Sequence, residues 1–165
     1  MSAIVSGVVA GIALHRELEG AMEGISEAFV TYESGIEGDI RGSGGHNRKR
    51  QVTVLFWENW LQACREIGED IYWFARRANV LITPFSSISP GPWMIGWYIV
   101  FDSSEGTGAV LEITGELKPC RRMDEVYPGL QESLAKDWRG GVTCRVKREG
   151  KIRYASTFRL VELLS

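Results

Sequence analysis

Apolar residues in this chain gather mostly in short, alternating or β-branched runs, and turn-forming residues separate them. The runs lie at 4–14, 28–32, 51–56, 80–82, 97–101, 109–114, 142–146, 152–154 and 158–164. Each is rich in Val, Ile, Phe or Tyr, so each reads as a strand, roughly seven to nine in all. Two stretches follow a helical period instead. Trp57, Trp60, Leu61, Cys64 and Ile67 line one helical face, with Gly68 near its end. Leu130, Leu134 and Trp138 recur every fourth residue, Pro128 suits the first turn, and Gly140-Gly141 ends that helix. Strands and helices do not alternate regularly, which argues against a doubly wound parallel sheet. The expected fold is mostly β with a few helices: a closed or nearly closed β-barrel with helices packed outside.

At 165 residues the chain suits one domain, 1–165, with a sizeable core. Its net charge of −2 gives no global basicity of the kind nucleic acids select. Any anion site must therefore be a local concentration of cations. The apolar stretch 4–14 has no basic segment ahead of it and is interrupted by Gly7 and Gly11, so it does not read as a targeting segment. No uninterrupted apolar run is long enough to span a bilayer, so no membrane partner is expected. Cys64, Cys120 and Cys144 are odd in number and form no CxxC pair, which points to reduced thiols and a cytoplasmic location.

The thiols are not equivalent. Cys64 shares the apolar helical face, and Cys144 alternates with Val142 and Val146 against Thr143, Arg145 and Lys147; both belong in the core. Cys120 follows Pro119 on a stiff turn, among Lys118, Arg121 and Arg122. Nearby cations favour thiolate, the form that ligates soft metals or carries sulfur. Two further basic clusters stand beside predicted strands. Arg41, His46, Arg48, Lys49 and Arg50 share a glycine-rich segment with Gly42, Gly44 and Gly45, and Arg76-Arg77 precede Asn79. Glycines let backbone N–H groups converge on an anion while cations supply charge. Together the three clusters suggest one anionic ligand at a barrel mouth. Asp39 reads either as a general base or as the side chain of an Asx turn after Gly38. Only His15 and His46 are available, so a histidine-rich metal site or a Cys-His-Asp nucleophile is hard to assemble. No P-loop and no dinucleotide-binding fingerprint occurs.

The ordered segments Gly35-Ile-Glu-Gly-Asp39, Lys49-Arg-Gln-Val-Thr-Val54, Ala75-Arg-Arg-Ala-Asn-Val80, Leu111-Glu-Ile-Thr-Gly-Glu-Leu-Lys-Pro-Cys120 and Arg139-Gly-Gly-Val142 resemble a MOSC domain, of the stand-alone bacterial type. That module is named for the C-terminal region of molybdenum cofactor sulfurases. The resemblance spans most of residues 35–152. One region departs: between Asn79 and Gly108, Thr83-Pro84 and a Trp-rich stretch stand where the family turns on glycine into its next strand. The resemblance implies a β-barrel and binding of the pyranopterin molybdenum cofactor, with the family's key cysteine carried over to Cys120 as catalytic residue and metal ligand. Arg50, Arg76, Arg77, Asn79, Lys118, Arg121 and Asp39 are the candidates for holding the pterin and phosphate. Members act as reductases of N-hydroxylated compounds or as sulfur-carrying modules. The expected function is therefore reduction of such compounds, with electrons from an external electron-transfer protein. The alternative is a persulfide or cofactor carrier that delivers to a molybdoenzyme partner. The pyridoxal-phosphate-dependent desulfurase domain of the large sulfurases has no counterpart here, so pyridoxal phosphate is not expected. A remoter alternative is a barrel that stacks single-stranded nucleic acid on Trp93, Trp97 and Tyr98; basic residues do not interleave with these rings, and no nucleic-acid partner is expected.

Overall fold

The structure is a computed structural model that describes residues 2–163 except 43, 46 and 47. Seven strands close into a barrel. Around it run β1 (Ser2–His15), β11 (Thr157–Glu162), β7 (Tyr98–Ser103), β8 (Gly106–Glu116), β9 (Val142–Arg148), β5 (Val52–Phe56) and β6 (Val80–Pro84), and β6 returns to β1. All neighbours are antiparallel except β5 and β6, which pair Val54 with Val80 and Phe56 with Ile82 in parallel. A parallel pair needs a crossover. It is supplied by α1 (Trp57–Ile67), which ends where Gly68 takes a left-handed φ of 75°, and by a 3-10 turn at Trp73–Arg76. Three short strands, β2 (Met22–Gly24), β3 (Glu27–Thr31) and β4 (Gly35–Ile36), follow β1; β2 extends its pairing, and β3 lies between β10 (Gly150–Arg153) and β4 in a separate small sheet. The barrel expected from the pattern of short strands is the fold of this chain.

Alternation divides the apolar residues between two cores. Val54, Phe56, Val80 and Ile82 point into the barrel with Val9, Ile99, Leu111 and Phe158, and Ala28, Val30, Ile36 and Ile152 of the small sheet join them. Leu55 and Leu81 point outward beneath Trp60, Ala63 and Cys64 of α1, and beneath Leu130 and Leu134 of the later helices. Both faces of β5 are thus covered, which is why it reads as an apolar run broken only by Thr53. Cys144 lies in the inner core and Cys64 in the outer one, as their sequence patterns require.

Some elements differ from expectation. Residues 4–14 form part of one long strand that successively pairs with β11, β6 and β2. The run expected at 109–114 is part of a longer strand, β8, which starts at Gly106 and runs on to Glu116. A separate short helix, α2 (Arg122–Val126), precedes the helix expected from Pro128 through Leu130, Leu134 and Trp138, and that helix is itself cut to α3 (Leu130–Leu134) and a 3-10 turn at Lys136–Trp138, where Asp137 and Trp138 take φ of 50° and 56°. The cause is a change of destination. Leu130 and Leu134 pack in the outer core, whereas Trp138 packs against the inner one, and a continuous helix cannot deliver both. The strand expected at 152–154 lies within β10, which pairs with β3 rather than with β9, because β8 and β5 already occupy both edges of β9.

Candidate functional site

Four segments far apart in sequence meet around one cavity of about 220 Å³. The end of β1 brings His15, the loop before β5 brings Arg41 and Arg50, the 3-10 turn before β6 brings Arg76 and Arg77, and the stretch after β8 brings Leu117, Lys118, Cys120, Arg122 and Met123. The wall therefore carries six cations, an imidazole and a thiol, and no carboxylate. In a chain of net charge −2 this is a strong local excess of positive charge. Lys118 and Cys120 are exposed and mark the open side. Among the described residues no group of His, Cys, Asp and Glu is arranged to hold a metal by itself, and the sulfur atoms of this wall belong to the exposed Cys120 thiol and the buried Met123 thioether.

Each cation is set by its own backbone. Arg76 closes the 3-10 turn, is 6% exposed, and donates from Nε to the Gly140 carbonyl at 2.9 Å and from Nη2 to the Leu117 carbonyl at 2.7 Å. A guanidinium can bridge two carbonyls in this way because its donors form a rigid fork. It thereby ties together the segment leading to Cys120 and the turn leading to β9. Burial, and then the charge of Arg50, push its pKa down to about 10, against the pull of Cys120 and Glu116. Arg77 takes a φ of 65°, unusual for a residue with a Cβ. Its Nη1 donates to the Gly20 carbonyl at 2.7 Å and its Nη2 to that of Leu18 at 3.2 Å. Burial, then Arg122 and Arg41, lower its pKa. Arg122 pairs with the exposed Glu19 at 3.3 Å. For Arg50, partial desolvation and then the charge of Arg41 lower the pKa, with Arg48 adding to the effect and Cys120 opposing it. Among the described residues its guanidinium has no hydrogen-bond partner within the protein. These arginines repel one another across the cavity, and an anion between them would relieve that repulsion.

Asp39 and Asn79 stand behind the wall. Asp39 is 2% exposed; its Oδ2 accepts from the His15 backbone N–H at 2.9 Å, from His15 Nδ1 at 2.9 Å and from Asn79 Nδ2 at 2.8 Å. Its Oδ1 accepts from the backbone N–H groups of Arg41 at 2.8 Å and Gly42 at 2.9 Å, the Asx turn considered from the sequence. Burial alone would raise this carboxyl, but the hydrogen bonds from His15 and Gly42 outweigh it and hold the pKa at about 2. Asn79 also donates to the Ala13 carbonyl and accepts from Thr53, and with Arg50 it borders a small recess beside the main cavity.

Of the residues named from the sequence, Cys120, Arg50, Arg76, Arg77 and Lys118 share the cavity wall. Arg121 is exposed at the start of α2 and lines neither the cavity nor the recess. His46 lies outside the described residues. Arg41 and Arg122, seen in the sequence only as members of basic clusters, line the cavity, as does His15, which no local signal marks. Trp93, Trp97 and Tyr98 take no part in it, so the basic surface and these rings do not form a common stacking platform.

No protein-family model matches the chain, and no curated protein matches it in sequence. Solved structures do resemble it. YuaD protein from Bacillus subtilis superposes with a TM-score of 0.71 at 17% identity, over 96% of this chain and 97% of that one. YiiM from Escherichia coli gives 0.65 at 16% identity, over 96% and 71%. YiiM from Geobacillus stearothermophilus gives 0.64 at 17% identity, over 97% and 75%. At these identities the likeness is one of fold: the chain has the barrel of these bacterial proteins over nearly its whole length.

Proposed function

We propose that this chain is a MOSC-type module that holds the pyranopterin molybdenum cofactor, with Cys120 as the protein's ligand to the metal, and that it reduces N-hydroxylated compounds with electrons from a separate redox protein. What carries this proposal is the cavity wall, one exposed thiol among six cations. A thiolate suits a soft metal centre, and guanidinium groups suit a phosphate and the negative charge of a dithiolene. A cavity of about 220 Å³ takes the anionic end of such a cofactor, the rest lying toward the open side. When bound, the cofactor supplies the two-electron chemistry that reduces an N–O bond.

The remaining roles belong to the chain. Arg50 and Lys118 meet the ligand's charge directly. Arg77 and Arg122 do the same from the side of residues 18–20, to which they are anchored. Arg76, bonded to the Gly140 and Leu117 carbonyls, holds the Cys120 segment at the wall. Asp39 and Asn79 hold His15 and the turn at Arg41 in place. The test is expression in a cofactor-competent host, with metal analysis of wild type and Cys120→Ser, then a reductase assay with an artificial electron donor and an N-hydroxylated base. Wild type is expected to carry molybdenum and turn over, and the serine variant to lose at least tenfold in metal content. Equal, near-zero molybdenum in both, unchanged by added cofactor, would sink the proposal. Loaded protein that never turns over yet carries a Cys120 persulfide by mass spectrometry would favour the carrier function.

A further inference from the structure

His15 is the member of the cavity wall that neither the cations nor the thiol account for. Its ring is buried, 3% exposed, and borders both the cavity and the adjoining recess. Nδ1 lies 2.9 Å from Asp39 Oδ2. An ionised carboxylate only accepts hydrogen bonds, so Nδ1 must be the donor, and Nε2 is the nitrogen left for the cavity. Among the described residues Nε2 has no hydrogen-bond partner. With Nδ1 protonated, a neutral imidazole offers an anion at Nε2 only a lone pair. Once protonated there, it offers a donor and a charge.

The charges facing this ring are Asp39 on one side and, across the cavity, Arg41, Arg50, Arg76, Arg77, Lys118 and Arg122, with the thiol of Cys120. An anion among these cations offsets their charge and leaves Asp39 as the partner of an imidazolium. We propose that anion binding in this cavity draws one proton from solution onto Nε2 of His15, leaving an imidazolium held between Asp39 and the ligand. The proposal rests on the cavity being an anion site. By linkage, affinity must then rise as pH falls, by up to about tenfold per pH unit.

Sulfate is the probe, because it carries no titrating proton of its own in the neutral range. Calorimetric titration in two buffers of different ionisation enthalpy counts the protons taken up on binding. Wild type is expected to take up close to one proton per sulfate at the pH where uptake peaks. His15→Gln is expected to bind more weakly with uptake near zero, and Cys120→Ser to keep the uptake. Uptake that persists in His15→Gln and disappears in Cys120→Ser would place the proton on the thiol and overturn the proposal. Sulfate binding without uptake in wild type would overturn it while leaving the anion site intact, whereas no sulfate binding at all would remove the anion site too. Should His15→Gln fail to fold, proton NMR of wild type gives the same answer. The chain has two histidines, so His46→Gln assigns both imidazole signals. Sulfate must move the His15 signal to its protonated position, and a shift confined to His46 overturns the proposal.

Discussion

Asp39 accepts hydrogen bonds from two elements and its own turn, and this joins the end of β1 to the loop that carries Arg41. Because its pKa falls to about 2 on folding from an ordinary value of 3.8, it contributes stability above the ordinary value, and that contribution is lost as pH falls through the folded one. Asp39→Asn is therefore expected to cost about 2 kcal/mol at neutral pH, and the gap from wild type to narrow between pH 4 and pH 2 in denaturant titrations. A gap independent of pH would refute the charge argument. The thiols give a second expectation. Burial raises the pKa of both Cys64 and Cys144, with Asp70 adding to the first and Glu112 to the second, and both are nearly inaccessible. Mild alkylation of folded protein near neutral pH should modify Cys120 first, by at least tenfold in rate; earlier labelling of Cys64 or Cys144 would contradict the core assignments. Cys120 was legible in the sequence because Pro119 and its cationic neighbours are contiguous with it. His15 was not, because its partner lies 24 positions away and nothing beside it hints at a site.

Arg76 shows how one side chain at an element terminus both lines a site and positions its neighbours. Its two forked bonds reach the Leu117 and Gly140 carbonyls, and Gly140 has no room for a side chain, a Cβ there lying 2.5 Å from the Leu117 oxygen. A lysine replaces that rigid fork with a single nitrogen and is expected to leave one of the two carbonyls short of a well-placed donor. Arg76→Lys is expected to destabilise the fold by about 1–3 kcal/mol and to raise hydrogen exchange at residues 117–120 more than at α1. Uniform exchange across both would show that Arg76 acts only on global stability. Periodicity identified α1 down to its glycine cap, because Trp57, Trp60, Cys64 and Ile67 serve one core. It failed beyond Leu134 because Leu134 and Trp138 serve different cores, a distinction that a one-dimensional pattern cannot carry. Likewise, β10 could not be paired from sequence without knowing that both edges of β9 were taken.

Across the whole molecule, charge is distributed far from evenly. Six cations face one cavity while the chain as a whole is slightly acidic, so specific anions should stabilise it where simple salt does not. At a hundred times its Kd an anion adds about 2.7 kcal/mol, which for a chain of this size raises Tm by roughly 5–10 °C. Sulfate or pyrophosphate should produce that shift at an ionic strength where sodium chloride does not, and Arg50→Glu should abolish most of it. An equal response to chloride would reduce the cavity to general screening. The barrel was legible from the number and shortness of the strands, but which strand closes it was not.

That closure has a kinetic side. β1 is sealed against β11, with Ser2 opposite Glu162 and Gly7 opposite Phe158, and β11 also pairs with β7. During synthesis the first strand leaves the ribosome long before its partner exists. Until residues 157–162 emerge, β1 and β7 each present an open edge able to pair with a stranger. Contacts of such long sequence separation are slow to form. Substitutions that weaken β11 will therefore tell first on the yield of folded protein, through aggregation of unfinished barrels, and only later on the chemistry of a cavity that β11 does not line.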